Sequence, residues 1–355
     1  MNNTEHIKIR KLKDILKKSS INLNNFIKKA QELKKVIVIC GPTCTGKSKV
    51  SIYLAKILNT DIISIDSMQV YRGMNIGTDK YDTTRYGIKQ FMVDIYNPDH
   101  SVTAVEFRES CRKLIDREFF LKNKIPLITG GSGLYIRAVL DDLEFVSGDN
   151  DNLTEEIFSN EIRNKIKQEI DETSLNNMFE KLKKTDPKYC EKISPNDERR
   201  IIRALEVYKI TGKPFSYFQN KWNERESIYN CTFIGLIKDK KILHECIENR
   251  MNLMFEKGLV NEVLELIKNG YKNAYSLNQA VGYKEVIKYL EGKLTIEDCK
   301  KEIIKNTKKL AKKQITWFKA DPRIKWISID NYDNIFYLIK DIIRIILEDI
   351  SNGKN

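Results

Sequence analysis

The stretch Val36-Ile37-Val38-Ile39-Cys40-Gly41-Pro42-Thr43-Cys44-Thr45-Gly46-Lys47-Ser48 decides the fold. Its first five residues are apolar and mostly β-branched, the pattern of a strand buried on both faces. They run into G-x-x-x-x-G-K-[ST], and a helical stretch follows from Lys47 to Leu58. Strand, glycine loop and helix in that order build a phosphate cradle. Gly41 and Gly46 let backbone N–H groups converge on phosphate oxygens, and the helix N-terminus adds its positive dipole end. Within the loop Gly41, Pro42, Thr43, Cys44, Thr45, Gly46, Lys47 and Ser48 are the diphosphate-binding candidates. Lys47 reaches the terminal phosphate and Ser48 offers Mg²⁺ a hydroxyl. Cys44 reads as a small filler. The pattern alone does not name the ligand: ATP is the default, and any pyrophosphate fits.

Outward from the loop, strands alternate with helices. Ile62–Ile65 reads as a second strand, Phe91–Ile95 as a third and Pro126–Thr129 as a fourth. Val105–Leu121 reads as a helix, as does the stretch after Gly131 up to Leu140. Such alternation predicts an α/β fold, a parallel sheet covered by helices. After about residue 145 the pattern turns helical and highly charged from Leu153 to Lys184. Asn196 is the expected N-cap of a helix ending at Gly212. Cys231–Ile237 returns to strand. Lys241–Ala320 is helical with breaks at Gly258, Gly270 and Gly292. Ile324–Ile329 is a late strand, and a final helix follows. The reading is a phosphate-loop core over 36–145 and 226–340, a helical insertion over 146–225, and an N-terminal extension over 1–35.

Asp66 ends the second strand, where open α/β sheets place their sites. A carboxylate there serves as a general base or a partner of Mg²⁺; the structural alternative is a cap for the following turn. Gly130-Gly131-Ser132 stands beyond another strand, with Ser132 able to hydrogen-bond a reacting group.

The chain has 355 residues, 41% of them hydrophobic, which excludes a wholly disordered chain. No apolar run approaches the roughly 18 residues that span a bilayer, so no membrane partner is expected. The net charge is +13. Residues 1–35 hold ten basic and three acidic side chains, and residues 296–325 hold ten and four; these two segments carry the whole excess. Charge in patches suggests a polyanion, nucleic acid first. The seven cysteines include no C-x-x-C pair, so no zinc site is indicated, and reduced thiols in a cytoplasm are expected. Leu12, Ile15, Leu16, Leu23, Phe26, Ile27, Ala30 and Leu33 are nearly in helical phase within the extension. That segment reads either as an RNA-steering basic helix or as a poorly ordered addition of little function.

Six segments together resemble the tRNA dimethylallyltransferase family, the isopentenyl-diphosphate:tRNA transferases. They are Gly41–Ser48, Ile65–Thr78, Gly130–Tyr135, Pro195–Arg200, Val281–Tyr283 and Leu310–Trp317. The resemblance runs from about Val36 to Ile327. It implies transfer of a five-carbon prenyl group from dimethylallyl diphosphate, with Mg²⁺, to N6 of the adenosine 3′ of the anticodon. The loop would then hold the donor's pyrophosphate. The resemblance implies that Asp66 is the general base, that Ser132 helps fix the amino group, and that Arg250 sits near the pyrophosphate with Lys47 and Ser48. It assigns tRNA contacts to Asp66, Ser67, Met68 and Gln69 around the reactive base, and to Arg199, Arg200, Ile201, Ile202 and Arg203. Further contacts fall on Gln279, Ala280, Val281, Gly282, Tyr283 and Lys284. The last group is Lys312, Lys313, Gln314, Ile315, Thr316, Trp317, Phe318 and Lys319. Arg163 falls near another such position. The expected partners are a tRNA anticodon stem-loop and dimethylallyl diphosphate, with the protein a monomer.

Three positions depart from the family pattern. Cys246 stands where an arginine is usual, Gln90-Phe91 replaces a histidine-containing pair, and Tyr81 replaces a proline. Other readings are a transferase acting on free adenine nucleotides, a phosphate-loop kinase, and a non-enzymatic RNA-binding module. The helical insertion and Lys312–Lys319 weigh against a small acceptor; Lys47, Ser48 and Asp66 weigh against a mere binding module.

Overall fold

A computed structural model describes residues 3–143, 153–219 and 224–352. The compositional change near residue 145 lies outside them. Six strands, β1 (Lys35–Cys40), β2 (Ile62–Ile65), β3 (Gln90–Phe91), β4 (Leu127–Gly130), β5 (Asn230–Ile237) and β6 (Ile324–Ser328), form one sheet. Its order is β3-β2-β4-β1-β5-β6, and every neighbouring pair is parallel. Strands β1, β2 and β4 are buried along their whole length, which is why they read as unbroken apolar runs.

Register places the site. Cys40 at the end of β1 and Ile65 at the end of β2 both pair with Gly130 at the end of β4. The three following loops therefore leave the sheet side by side, at the carboxyl edge where open α/β sheets bind ligands. Gly41 begins the first loop at φ +133°, and a Cβ there would stand 2.3 Å from the Leu236 carbonyl oxygen of β5. Only glycine fits.

The third strand is shorter than expected. Met92 and Asp94 take positive φ (63° and 56°), which ends pairing after Phe91. The helix expected over Val105–Leu121 is α-helical over Ala104–Leu114 and then widens to a π-helix over Ile115–Phe120.

Cα packing separates two compact units. The larger comprises Met1–Val102, Ser110–Leu140 and Tyr229–Asn355 and contains the sheet. Within it the extension is folded as α1 (Asn3–Lys18) and α2 (Leu23–Glu32). Leu12, Leu16, Phe26 and Ala30 join one buried cluster with Val50 and Leu54 of α3 (Lys47–Leu58) and with Ile339 and Ile343 of the Ile335–Asn352 helix. The reading of residues 1–35 as poorly ordered is thus overturned for the described part: its apolar stripe covers helices of the core.

The smaller unit comprises Thr103–Glu109 and Asp141–Ile228. Helices Leu153–Glu172, Leu175–Thr185 and Glu198–Thr211 enclose Ile166, Met178, Leu182 and Ile201. The Glu198–Thr211 helix is capped by Asp197, whose side chain accepts from the Arg200 N–H, and not by Asn196. Gly212 ends it at φ +68°, as the sequence predicts.

Candidate active site

A cavity of about 330 Å³ opens at the carboxyl edge of the sheet. The phosphate loop forms one wall through Thr43, Cys44, Gly46, Lys47 and Ser48. Thr45 is buried beneath, its hydroxyl donating to the Pro42 carbonyl at 2.8 Å. Lys47 Nζ donates to the same carbonyl at 2.6 Å, so the lysine folds back over its own loop. Burial pulls the Lys47 ammonium down to about 8; Asp66 pulls it up, and Arg250 pushes it down again.

Asp66 lines the cavity beyond the end of β2; Ser132, beyond β4, is not among the lining residues and contacts Ser67 instead. Asp66 Oδ1 accepts the N–H groups of Met68 at 2.9 Å and Gln69 at 3.3 Å, so one oxygen caps the turn. The other, Oδ2, takes no hydrogen bond from the described residues. Ser132 Oγ accepts the Ser67 N–H at 3.2 Å and stands 3.5 Å from the Ser67 hydroxyl. Gln69 lines the cavity; its amide accepts from the Ser64 hydroxyl and donates to the Thr78 carbonyl, holding the turn to the next loop. Arg250 reaches the phosphate loop from the Lys240–Glu256 helix. It donates to Thr43 Oγ1 at 2.6 Å and pairs with Asp79 at 3.5 Å. Ile52, Ile62 and Tyr81 add apolar surface to the same cavity. A cation-rich phosphate cradle, an unpartnered carboxylate oxygen and an apolar wall are chemistry for a diphosphate ester that loses diphosphate to a nucleophile.

Comparison with known proteins agrees with this geometry. A family model described as IPP transferase matches residues 69–321, and one described as isopentenyl transferase matches residues 34–85. The chain belongs to the tRNA dimethylallyltransferase family. It is 40% identical over 313 residues to the tRNA dimethylallyltransferase of Thermoanaerobacter sp. (strain X514), covering 87% of this chain and 96% of that one. It is 42% identical over 296 residues to that of Carboxydothermus hydrogenoformans, covering 83% and 92%. The solved tRNA isopentenylpyrophosphate transferase of Bacillus halodurans is similar at TM-score 0.65 and 34% identity, over 90% of this chain and 97% of that one. A eukaryotic dimethylallyltransferase solved acting on tRNA reaches TM-score 0.71 at 28% identity, over 90% and 80%.

The transferase's expected RNA contacts divide sharply by burial. Lys312, Lys313, Thr316, Trp317 and Lys319 are exposed along one stretch of the Ile296–Lys319 helix. Arg199, Arg200 and Gln279 are exposed as well, and Val281 and Lys284 are half-buried. Met68 and Ile315 are also half-buried, and Gly282 is buried. Ile201, Ile202, Ala280, Tyr283 and Phe318 are corrections: their side chains are buried in the protein core and cannot meet RNA in this conformation. Each belongs to the apolar face of its own helix or turn. Arg163 and Arg203 both bind the fully buried Glu206, at 2.9 and 3.1 Å. Their charge is spent on a carboxylate that burial would otherwise leave uncompensated.

Several residues shape the site in ways that the sequence reading does not assign, and Glu262 is not singled out there at all. Glu262 accepts the N–H groups of Asn75, Ile76 and Gly77 and the Tyr283 hydroxyl, so it anchors the loop that carries Thr78 and Asp79. Gln314 accepts the Thr43 N–H at 2.9 Å and donates to the Gly131 carbonyl at 3.0 Å. It ties the phosphate loop to the Gly130–Ser132 turn. At Gly133 a Cβ would stand 2.0 Å from the Trp317 ring, so this tryptophan packs on the turn as well as facing solvent. Cys246 lines the cavity, and Lys238 Nζ donates to its sulfur at 3.0 Å. All seven cysteines are free thiols, and no helix among the described residues is long and apolar enough to cross a membrane.

Proposed function

We propose that this protein transfers the dimethylallyl group of dimethylallyl diphosphate to N6 of the adenosine on the 3′ side of a tRNA anticodon, releasing diphosphate. The observation that carries the reading is the Asp66 carboxylate, with one oxygen fixed by the turn and the other unpartnered, lining the same cavity as Lys47 and Ser48. The relatives named above act on tRNA by their names, and the chain spans nearly all of their length.

The reaction forms a bond from N6 to C1 of the prenyl group and breaks the C1–O bond to diphosphate. The departing proton of N6 goes to Asp66 Oδ2. Ser132 holds the amino group or the adjacent turn in register, and the loop N–H groups, Lys47 and Arg250 take up the charge that develops on the leaving oxygen. Ile52, Ile62 and Tyr81 supply the apolar wall for a five-carbon tail. The adenine leaves its stack to arrive there, as single-stranded loop bases do for their readers.

Mg²⁺ fits the residues present. Ser48 offers a hydroxyl oxygen at the cavity, the donor type a hard dication prefers. Among the described residues no cluster of three His, Cys, Asp or Glu would hold a metal unaided, so Ser48 would hold the ion together with the diphosphate. Bound Mg²⁺ supplies charge neutralisation to the leaving diphosphate.

We further assign catalysis to residues 36–145 and 226–340, and tRNA contact to the helical insertion 146–225 through Arg199 and Arg200. Lys312, Lys313 and Lys319 on the Ile296–Lys319 helix are the second cationic surface for the RNA. The working state is a cytoplasmic monomer. The test is transfer of labelled prenyl to unmodified tRNA by wild type and Asp66→Ala. Loss of a general base lowers kcat by about 10²–10⁴-fold. Equal rates in the two proteins would remove Asp66 from the chemistry. Transfer to AMP as efficient as to tRNA would replace the acceptor.

A further inference from the structure

A second cleft, about 540 Å³, lies between α1, α3 and the start of the Ile335–Asn352 helix. Lys8, Lys11 and Lys18 line it from α1 and Lys49 lines it from α3, with Asp14 the one acidic side chain in its walls. The first family match begins at residue 34, so α1 lies outside the part shared with the family models. We propose that α1 builds with α3 a phosphate-backbone groove that holds the tRNA beyond the reactive base. The proposal rests on the tRNA-transferase reading.

Four observations carry it. First, the lysines form a stripe. On a helix of 3.6 residues per turn, positions 8, 11, 15 and 18 share one face, beside the stripe of Leu12 and Leu16 that buries α1 in the core. The buried stripe fixes which way the lysines point. Second, the stripe is long. Lys8 to Lys18 spans about 15 Å of helix, a match for a strand of repeating phosphates and too long for one free phosphate. Third, the groove adjoins the active site: Lys49 lines both this cleft and the diphosphate cavity, so RNA held in one lies next to the other. Fourth, the charge is local: residues 1–35 carry net +7 of the chain's +13. Arg10, Lys13 and Lys17 sit on the opposite face of α1 and line neither cavity.

That last fact supplies the control. Two triple variants remove equal charge from the same helix: K8Q/K11Q/K18Q from the groove and R10Q/K13Q/K17Q from the far face. Glutamine keeps helix propensity close to that of lysine and arginine. Equilibrium binding of full-length tRNA is measured across a salt series, with unfolding midpoints to show that both variants fold. The groove variant is expected to bind about tenfold more weakly at low salt. Its slope of log affinity against log salt falls by about 2, since each lost phosphate contact removes roughly 0.7–0.9. The KM for tRNA rises while the KM for dimethylallyl diphosphate and kcat at saturating tRNA stay unchanged.

Slopes flattened equally by both variants would reduce the effect to net charge and overturn the groove. An unchanged slope in the groove variant would overturn it too. So would a loss confined to anionic phosphatidylserine vesicles, which would make α1 a membrane-facing surface. Wild type that transfers prenyl to tRNA while the groove variant binds tRNA normally refutes this inference alone. Wild type with no transfer at all refutes the tRNA-transferase reading beneath it.

Discussion

Lys47 carries the clearest pH signature. Its ammonium is held at about 8, below the ordinary lysine value, chiefly by burial. The neutral form therefore reaches half the population near pH 8 in the free protein, and a bound diphosphate favours the charged form. Binding at pH 8 should take up about half a proton, and donor affinity should fall as pH rises through 8. Calorimetry of diphosphate binding in buffers of different ionisation enthalpy reads this directly. No proton uptake would mean that Lys47 stays charged in the empty cavity. The residues of this chemistry were legible because one local motif holds them: Lys47 and Ser48 follow from the loop pattern, and Asp66 from its place at a strand end. Cys246 was legible only as a departure. That Lys238 stands on its sulfur depends on a helix start bringing positions 238 and 246 together, which no linear pattern states.

At the scale of elements, the Ile296–Lys319 helix does two jobs. Its exposed lysines make it basic, and composition shows that. Its inward edge holds the site, and composition does not: Gln314 bonds both Thr43 and Gly131, and Trp317 seats on Gly133. Gln314→Ala removes two hydrogen bonds worth about 0.5–1.5 kcal/mol each, so kcat/KM for the donor should fall roughly 5- to 150-fold. Because Gln314 is a positioning residue, Gln314→Glu should restore part of the activity by again accepting from Thr43. Steady-state kinetics with both variants decides it. Loss of tRNA affinity with donor kinetics unchanged would return Gln314 to the RNA surface. The buried Ile201, Ile202 and Tyr283 carry the same lesson in reverse. Each lies in a segment with exposed neighbours, and the helical period turns it inward.

Over the whole molecule, the extension is part of the core. Leu12 and Leu16 are buried against α3 and the last helix, so α1 covers the helix that begins at the phosphate loop. Leu12→Ala should cost about 2–5 kcal/mol, the range for a fully buried leucine that leaves a cavity. Urea unfolding of wild type and variant measures it, and a cost under about 1 kcal/mol would show that α1 packs loosely. The sequence by itself determined the parallel α/β core, the phosphate cradle and the carboxylate at the strand end. Those rest on short-range spacing: apolar runs for buried strands, glycines for the loop, and a carboxylate directly after a strand. Only the tertiary structure decided that the extension is a packed helix pair, that Glu262 and Gln314 hold loops more than 180 residues away in sequence, and that Arg163 and Arg203 serve a buried carboxylate. These are contacts between distant segments, set by register and helix packing, and the local pattern of one chain carries no record of which distant residue a buried polar group will meet.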